Sequence, residues 1–89
     1  GTVVGAGAYV EAGADVEGSV VLDGAHIAAG ARIRASMIGR DARVGPRTAL
    51  DGVVIGDRAE VGADNELCDG ARVWCATVIP DAAIRFSAA

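Results

Sequence analysis

The 89-residue chain contains no lysine, and its eight basic residues are all arginine. Lysine is the residue that forms Schiff bases and supplies a point charge to phosphate groups, so both kinds of catalytic site are excluded. The arginines are scattered among twelve acidic residues, giving a net charge of −4, rather than gathered in one stripe. This distribution argues against a protein that binds the phosphate backbone of nucleic acids.

Large aromatic side chains are scarce as well: there is one Trp, one Tyr and one Phe, although 52% of the residues are apolar. The core must then consist of Val, Ile, Leu and Ala, which favours a thin interior over a helix bundle or a sandwich. No apolar run approaches the roughly 18 residues that suggest a membrane span. No charged-then-apolar leader precedes the repeats, so we expect a cytoplasmic protein without a membrane partner.

What the chain does contain is a period of 17 residues that starts at Thr2. The period predicts five copies, residues 2–18, 19–35, 36–52, 53–69 and 70–86, in a single domain that spans residues 1–89. A short period over a whole chain is typical of a solenoid, in which each unit buries its apolar face against its neighbours. Because the chain begins at Gly1, without Met and inside a repeat, we expect it to be the C-terminal part of a longer protein.

Inside each copy, aliphatic residues recur at steps of six, six and five, and most are followed four positions later by a small side chain. A step of six does not match the 3, 4, 7 spacing of a helix. It fits a short strand and a corner, where Gly or Asp tolerates the backbone angles. Three such sides close a triangular coil, which predicts an all-β parallel β-helix of about five coils. The inward series is Val4, Val10, Val16, Val21, Ile27, Ile33, Ile38, Val44, Leu50, Ile55, Val61, Leu67, Val73, Ile79 and Ile84. The last coil is expected to be irregular, because its short step moves to the Ile79–Ile84 side.

The repeat has the hexapeptide pattern [LIV]-G-x-x-[STAV]-x of the left-handed parallel β-helix families. Five segments resemble the C-terminal β-helix of bacterial sugar-nucleotide pyrophosphorylases, closest to the actinobacterial mannose-1-phosphate guanylyltransferase type: residues 1–5, 41–47, 53–57, 70–74 and 79–87. The left hand is implied by this resemblance, since spacing does not give it and the general crossover rule favours the right hand. The chain departs from the family where Ala76, Ala82 and Ala83 stand in place of glycines.

The resemblance implies an assembly or regulatory domain of an enzyme that makes GDP-mannose from GTP and mannose 1-phosphate. In such enzymes an N-terminal nucleotidyltransferase domain carries the G-x-G-T-R nucleotide loop, the catalytic Lys and the metal-binding Asp, none of which has a counterpart here. We therefore assign no catalytic, cofactor-binding or metal-binding residue to this chain. We expect that the chain alone is not an enzyme, that its parent protein is one, and that Mg²⁺ belongs to the missing catalytic domain.

His26 is the only histidine and hence the only ready general base. Hexapeptide acyltransferases use a His at a subunit interface, so one alternative is a stand-alone protein of the acyltransferase or carbonic-anhydrase kind. Their His usually sits on a loop that interrupts the coils, whereas His26 directly precedes the inward Ile27 in an uninterrupted repeat. We interpret it as a surface residue stacked between Tyr9 and Arg43. A purely structural or engineered β-helix fragment is the other alternative.

The candidate interface lies on the side of the prism where an apolar residue directly precedes the inward aliphatic. Strand alternation turns these residues outward, and they recur every 17 positions: Val3, Val20, Met37 and Val54. A contiguous apolar stripe usually marks an interface, although β-propensity alone also favours Val on an exposed strand. We expect the stripe to pack against another β-helix or the catalytic domain, with Trp74 as a docking or capping residue near the last coil.

The remaining outward residues are expected to be structural. Opposite charges 17 residues apart should stack on adjacent strands, Asp15 over Arg32 and Arg43 over Glu60, which supports the register. Two cysteines lie one whole side apart, beyond the roughly 7 Å that a disulfide can bridge. We expect both Cys68 and Cys75 to be free thiols.

Overall fold

A computed structural model describes residues 2–84, and within them it shows a parallel β-solenoid of short strands without a helix. The strands are β1 (Val3–Val4), β2 (Tyr9–Val10), β3 (Asp15–Glu17), β4 (Val20–Val21), β5 (His26–Ile27), β6 (Arg32–Arg34), β7 (Met37–Ile38), β8 (Arg43–Val44), β9 (Ala49–Asp51), β10 (Val54–Ile55), β11 (Glu60–Val61), β12 (Glu66–Cys68), β13 (Arg72–Val73) and β14 (Val78–Ile79). No helix in residues 2–84 is long and apolar enough to cross a membrane. The predicted all-β solenoid of about five turns is confirmed.

Every third strand belongs to the same sheet, so the molecule is a prism with three flat sides. Sheet 1 has the order β1-β4-β7-β10-β13, sheet 2 the order β2-β5-β8-β11-β14, and sheet 3 the order β3-β6-β9-β12. We number the coils by their sheet 1 strand, so that coil 1 begins with β1 and coil 5 with β13. All strand pairs that the structure records are parallel.

The strands stack in the 17-residue register that the sequence predicts. Val3 pairs with Val20, and Val20 with Met37. Each coil donates backbone hydrogen bonds to the next one, as in the bond from the Val20 N–H to the Ser36 oxygen at 3.0 Å and from the Met37 N–H to the Val53 oxygen at 2.9 Å. Strands of only two or three residues are therefore stabilised by hydrogen bonds to the coils before and after them.

The interior of the prism is filled by aliphatic side chains from all three sheets. In the middle coils they are fully buried: Val21, Ile27, Ile33, Ile38, Val44, Leu50, Ile55 and Val61. Each contributes roughly 1.5–3 kcal/mol of transfer free energy. In coil 1, Val10 and Val16 are half-buried against this core, while Val4 is 49% exposed at the N-terminal end. Burial thus increases from the N-terminal end towards the middle, as expected for a stack whose end units lack one neighbour.

Each corner turns on a residue with positive φ, whether or not that residue is glycine. The corners between sheets 1 and 2 turn at Gly7, Gly24, Asp41, Arg58 and Ala76, and those between sheets 2 and 3 at Gly13, Gly30, Arg47, Asp64 and Ala82. The corner N–H often donates to the corner carbonyl one coil earlier, as from Arg58 to Arg40 at 2.7 Å. Non-glycine residues in this left-handed region are strained by about 1–2 kcal/mol each, and the inter-coil hydrogen bonds hold them there.

Some glycines are needed for close approach rather than for positive φ. A Cβ atom on Gly45 would lie 2.5 Å from both the Gly62 carbonyl carbon and the Ala63 nitrogen of the next coil. Such distances to backbone atoms are not seen for real Cβ atoms, so the coils would have to move apart. The Gly that follows the inward aliphatic in several repeats is thus explained by the stacking of one corner on another.

The corner that precedes coil 5 contains one additional residue, so part of the predicted repeat is wrong. β13 and β14 pair with β10 and β11 at a spacing of 18, with Val54 opposite Arg72 and Glu60 opposite Val78. The extra residue lies at the corner before β13, where Asp69 and Gly70 both have positive φ. The fifth copy is therefore not a strict 17-residue copy. The last coil is irregular, but the predicted short step on the Ile79–Ile84 side is wrong, because the change is an added residue before β13. Residues 85 and 86 of that copy lie outside the described residues.

Ile84 does not occupy the inward aliphatic position that the spacing predicted. Its carbonyl accepts the Glu66 N–H at 2.8 Å, as the Asn65 carbonyl accepts the Ala49 N–H one coil earlier. Ile84 therefore stands at the position of Asn65, and its side chain is 38% exposed. The reason is that five residues separate Ile79 from this position, whereas four separate Val61 from Asn65, so the inward position on sheet 3 is not yet reached at Ile84.

Asn65 is a buried polar residue at a position where earlier coils have Ala14, Ala31 and Thr48. Its Nδ2 donates to the carbonyls of Gly62 at 3.0 Å and Pro80 at 2.9 Å, and its Oδ1 accepts the Ile84 N–H at 2.7 Å. A buried amide is stable only when its donors and acceptors are paired in this way. Asn65 thus ties the last described segment to coil 4.

The two family glycines that are alanine here give the first prediction. Because Ala76 and Ala82 have φ values of 59° and 51°, we expect Ala76→Gly and Ala82→Gly each to raise the free energy of unfolding by about 0.5–1 kcal/mol, since relief of left-handed strain exceeds the added chain entropy. Thermal unfolding followed by circular dichroism measures the change. Ala31→Gly, at a buried position outside the positive-φ set, is the control and should lower the melting temperature. Equal losses for all three variants would contradict the strain assigned to these corners.

Candidate interface and surface clusters

An apolar column runs along the outer surface of sheet 1. We call Val3, Val20, Met37 and Val54 the apolar column; each is the direct register partner of the next. Val3 is 60% exposed, Met37 45% and Val54 40%, while Val20 is half-buried. The predicted stripe is therefore present as four side chains that lie one above another on the outer face of sheet 1. The column ends in coil 5, where Arg72 is the register partner of Val54.

Trp74 lies two residues after Arg72, at the same end of sheet 1. Its side chain is 77% exposed, the highest value among the large apolar residues that the structure describes. Its carbonyl accepts the Thr77 N–H at 3.2 Å, which fixes the corner but leaves the ring in solvent. An exposed Trp beside an apolar column is typical of the residues that anchor protein interfaces.

The corners on either side of sheet 1 carry exposed charges of alternating sign. At the corner with sheet 2, Asp23 of coil 2 is followed by Arg40 of coil 3 and Asp57 of coil 4. At the corner with sheet 3, Glu17 precedes coil 2, Arg34 precedes coil 3 and Asp51 precedes coil 4. The side chains of Glu17 and Arg34 approach within 3.9 Å. The apolar column is thus framed by polar residues, which is the usual anatomy of an interface with an apolar centre and a polar rim.

The outward charges on the other two sheets stack in the predicted order. Arg32 is the register partner of Asp15, and Glu60 that of Arg43. An arginine–aspartate ion pair lies at a corner between sheets 2 and 3, where Arg47 Nε donates to Asp64 Oδ1 at 2.8 Å and Nη2 to Oδ2 at 3.1 Å. This hydrogen-bonded pair raises the pKa of Arg47. Exposed pairs of this kind contribute at most about 1 kcal/mol, so they support the register rather than form a reactive site.

His26 lies on sheet 2 between Tyr9 and Arg43, as predicted, but it has a partner that the sequence analysis missed. Its Nε2 donates to Glu11 Oε2 at 2.5 Å, and Glu11 Oε1 accepts the Ala29 N–H at 3.3 Å. The Tyr9 ring meets the imidazole edge-on, with centroids 5.1 Å apart. The strand register could have indicated this contact. Tyr9 pairs with His26, and Glu11 follows Tyr9 by two residues in the coil next to His26.

The Glu11–His26 pair has one feature of a general base, since a carboxylate that accepts the proton of one ring nitrogen leaves the other nitrogen basic. The hydrogen bond from His26 lowers the pKa of Glu11, which favours its charged form. Beside it, Arg43, Arg47, Glu60 and Asp81 line an open groove of about 640 Å³ along sheet 2. Both signs of charge alternate in this groove, which gives it no preference for an anionic or a cationic ligand.

The cysteines are free, as predicted. Desolvation raises the pKa of the Cys68 thiol, and the neighbouring Asp69 adds to the effect. Within residues 2–84 there is no group of three His, Cys, Asp or Glu side chains positioned to hold a metal ion. We therefore assign no Mg²⁺ ligand to the described residues.

Comparison with known proteins gives one family. The family model described as "GMPPB C-terminal domain" matches residues 1–89. Searches of curated proteins and of solved structures found no match. A parallel solenoid with this family match is consistent with the left-handed β-helix domain of mannose-1-phosphate guanylyltransferase that the sequence resembles.

The Glu11–His26 pair gives a prediction about pH. Because the pKa of folded Glu11 lies below its usual 4.5, its ionised form stabilises the fold above about pH 4.5, and this contribution is lost as the pH falls through the lowered value. We expect Glu11→Gln to lower the melting temperature at pH 6, and we expect this difference to shrink as the pH falls below 4.5. Glu66→Gln, on sheet 3, controls for the loss of a surface carboxylate. A difference that stays constant from pH 6 to pH 3 would show that the hydrogen bond to His26 does not stabilise the charged carboxylate.

Proposed function

The chain belongs to the family of GMPPB C-terminal domains, and from this we propose that it is the non-catalytic β-helix domain of a nucleotidyltransferase that makes GDP-mannose. In the reaction of such an enzyme, a phosphate oxygen of mannose 1-phosphate attacks the α-phosphorus of GTP, and pyrophosphate leaves. The proposed role of this domain is to assemble the enzyme through its surface, in the cytoplasm. The nucleotide, the sugar phosphate and Mg²⁺ belong to a separate catalytic domain of the same longer protein.

The observation that carries the assembly role is the apolar column on sheet 1. Three exposed apolar side chains and the half-buried Val20 follow one another in consecutive coils and form the kind of contiguous patch that marks a protein interface. The exposed Trp74 lies in the next coil. The other two sheets carry mainly charged and polar residues in the equivalent columns, such as Arg32 and Glu66 on sheet 3. Sheet 1 is therefore the side that favours burial against a second β-helix or the catalytic domain.

The Glu11–His26 pair is the observation that favours the acyltransferase-like alternative. It supplies a histidine held by a carboxylate, but on a flat sheet, half-exposed and open to water along the groove. General bases act efficiently where geometry and exclusion of water bring them onto the substrate. The proposal therefore assigns this pair a structural role in joining coil 1 to coil 2.

A direct assay separates these two functions. We expect the purified chain, incubated with GTP, mannose 1-phosphate and Mg²⁺, to release no pyrophosphate above background, because the residues for this reaction are assigned to another domain. A full-length mannose-1-phosphate guanylyltransferase is the positive control. A second assay with acetyl coenzyme A and small amine acceptors should release no free thiol. Turnover in the second assay that disappears in His26→Ala would support the acyltransferase-like alternative instead, and pyrophosphate release would contradict the non-catalytic role.

Substitution of the centre of the apolar column tests the assembly role. We expect Met37→Glu to shift the mass measured by light scattering to a smaller species, since a buried unpaired carboxylate destabilises an apolar contact. The β-sheet signal in circular dichroism should not change, because Met37 points away from the core. Ala49→Glu introduces the same charge on sheet 3 and should leave the mass unchanged. An unchanged mass for Met37→Glu would remove sheet 1 as the assembly surface.

A further inference from the structure

The charges that frame the apolar column do more than form a polar rim: they distinguish among the ways in which two copies of sheet 1 can face each other. A two-fold symmetric dimer with flat sides in contact has its axis in the plane of the interface. If the axis runs along the solenoid, the two solenoids are parallel and each coil lies opposite the same coil of the second copy. If the axis runs along the strands, the two solenoids are antiparallel. Each arrangement brings a different set of corner residues together.

The parallel arrangement juxtaposes like charges at both rims. The corner with sheet 3 of one copy faces the corner with sheet 2 of the other, coil by coil. At coil 2, Glu17 would face Asp23, and at coil 3, Arg34 would face Arg40. Like charges placed opposite each other are destabilising, so this arrangement is disfavoured at two successive coils on each rim.

The antiparallel arrangement depends on where the axis lies. With the axis on coil 3, Arg40 would face Arg40 of the second copy, and Val3 would face Arg72. With the axis between coils 3 and 4, Arg40 would face Asp57 and Arg34 would face Asp51, but Val20 would face Arg72 and the apolar column would be broken. With the axis between coils 2 and 3, Asp23 faces Arg40 of the second copy, and Glu17 faces Arg34. Both rims then carry opposite charges, and symmetry repeats each pair, which gives four favourable contacts around the centre.

The same register places the apolar column of one copy against the apolar column of the other. Coil 1 lies opposite coil 4 and coil 2 opposite coil 3, so Val3 faces Val54, and Val20 faces Met37 of the second copy. The column stops at coil 4, since the next outward residue on sheet 1 is Arg72. Trp74 of coil 5 then projects past the first coil of the second copy, where Val4 is half-exposed at the open end of the stack.

On this basis, and resting on the assembly role proposed above, we propose that the occupant of sheet 1 is a second copy of this chain, docked antiparallel with the two-fold axis between coils 2 and 3. The prism measures 36 × 24 × 21 Å, and four coils at about 4.8 Å span roughly 20 Å, so each copy buries on the order of 400 Å². Some 800 Å² in total is below the range of stable interfaces and belongs to the weak, concentration-dependent class.

A charge-complementation experiment tests the register. Asp23→Arg places Arg against Arg40 of the second copy, and Arg40→Asp places Asp against Asp23, so each variant alone should be monomeric. An equimolar mixture restores opposite charges at both contacts and should form a heterodimer with wild-type affinity. Sedimentation equilibrium from about 10 µM to 1 mM measures the association. Arg32→Glu, which makes a comparable charge reversal on sheet 3, is the matched control and should dimerise like the wild type.

A second pair of variants controls for a loss of dimers that is caused by a folding defect. Asp23 Oδ1 accepts the Ala6 N–H at 2.9 Å, so Asp23→Arg also removes a contact between coils 1 and 2. Glu17→Arg and Arg34→Glu at the opposite rim should behave in the same way, each monomeric alone and dimeric when mixed. Circular dichroism of every variant confirms that the solenoid is retained.

The outcomes separate this proposal from the one on which it rests. Restoration of dimers in either mixture supports the antiparallel register. Loss of dimers in Met37→Glu without restoration in either mixture would overturn the register but leave sheet 1 as an assembly surface. A wild-type chain that is monomeric at 1 mM would overturn the second copy as the occupant, and the catalytic domain would remain as the partner. Pyrophosphate release by the chain alone would bear on the non-catalytic role and not on this register.

Discussion

The backbone hydrogen bonds between successive coils are the interaction on which the rest of the molecule depends. Strands of two or three residues have no stability of their own, and each is held by the coil before and the coil after it. Because these bonds fix the register of each strand on the next, a repeat of constant length aligns chemically similar positions in columns. The inward columns become the core, the small residues fit the corners, and the outward columns become continuous surfaces. Even the strained corner residues, such as Arg58, are kept in place by this ladder.

A surface of this kind differs from an ordinary protein surface because it is periodic. A column of one chemical type arises whenever the same residue class recurs every 17 positions, so an apolar stripe needs only four substitutions to form. On sheet 1 the stripe combines with rims whose charges alternate from coil to coil, as in Asp23 and Arg40. Alternation along the axis makes the pattern sensitive to register, since a shift by one coil changes every opposite pair into a like pair. The proposed antiparallel contact uses this sensitivity as its source of specificity.

The sequence predicted those features that depend on the period alone. The solenoid, the inward aliphatic columns in coils 2 to 4 and the outward column through Met37 follow from counting, because backbone register leaves no freedom there. The pairing of Glu11 with His26 was not predicted, since it depends on two side chains that reach across one strand spacing. The role of Asn65 was not predicted, because an amide at a position otherwise taken by small residues is stable in the interior only when nearby carbonyls pair with it, and the sequence does not show those carbonyls. The assignment of Ile84 as an inward residue was wrong because a corner, unlike a strand, can take up one more residue.

The additional residue at the corner formed by Asp69 and Gly70 has a wider consequence for how such chains vary in length. Within a strand, an inserted residue would reverse the facing of every side chain after it, and the core column would point to water. At a corner, two successive residues of positive φ absorb the insertion, and the ladder resumes with its facing intact. What changes is only the spacing in the sequence, from 17 to 18 residues, since Arg72 and Val78 still pair with Val54 and Glu60. Corners thus offer evolution positions at which such a chain can gain or lose residues while the core and the surface columns keep their alignment.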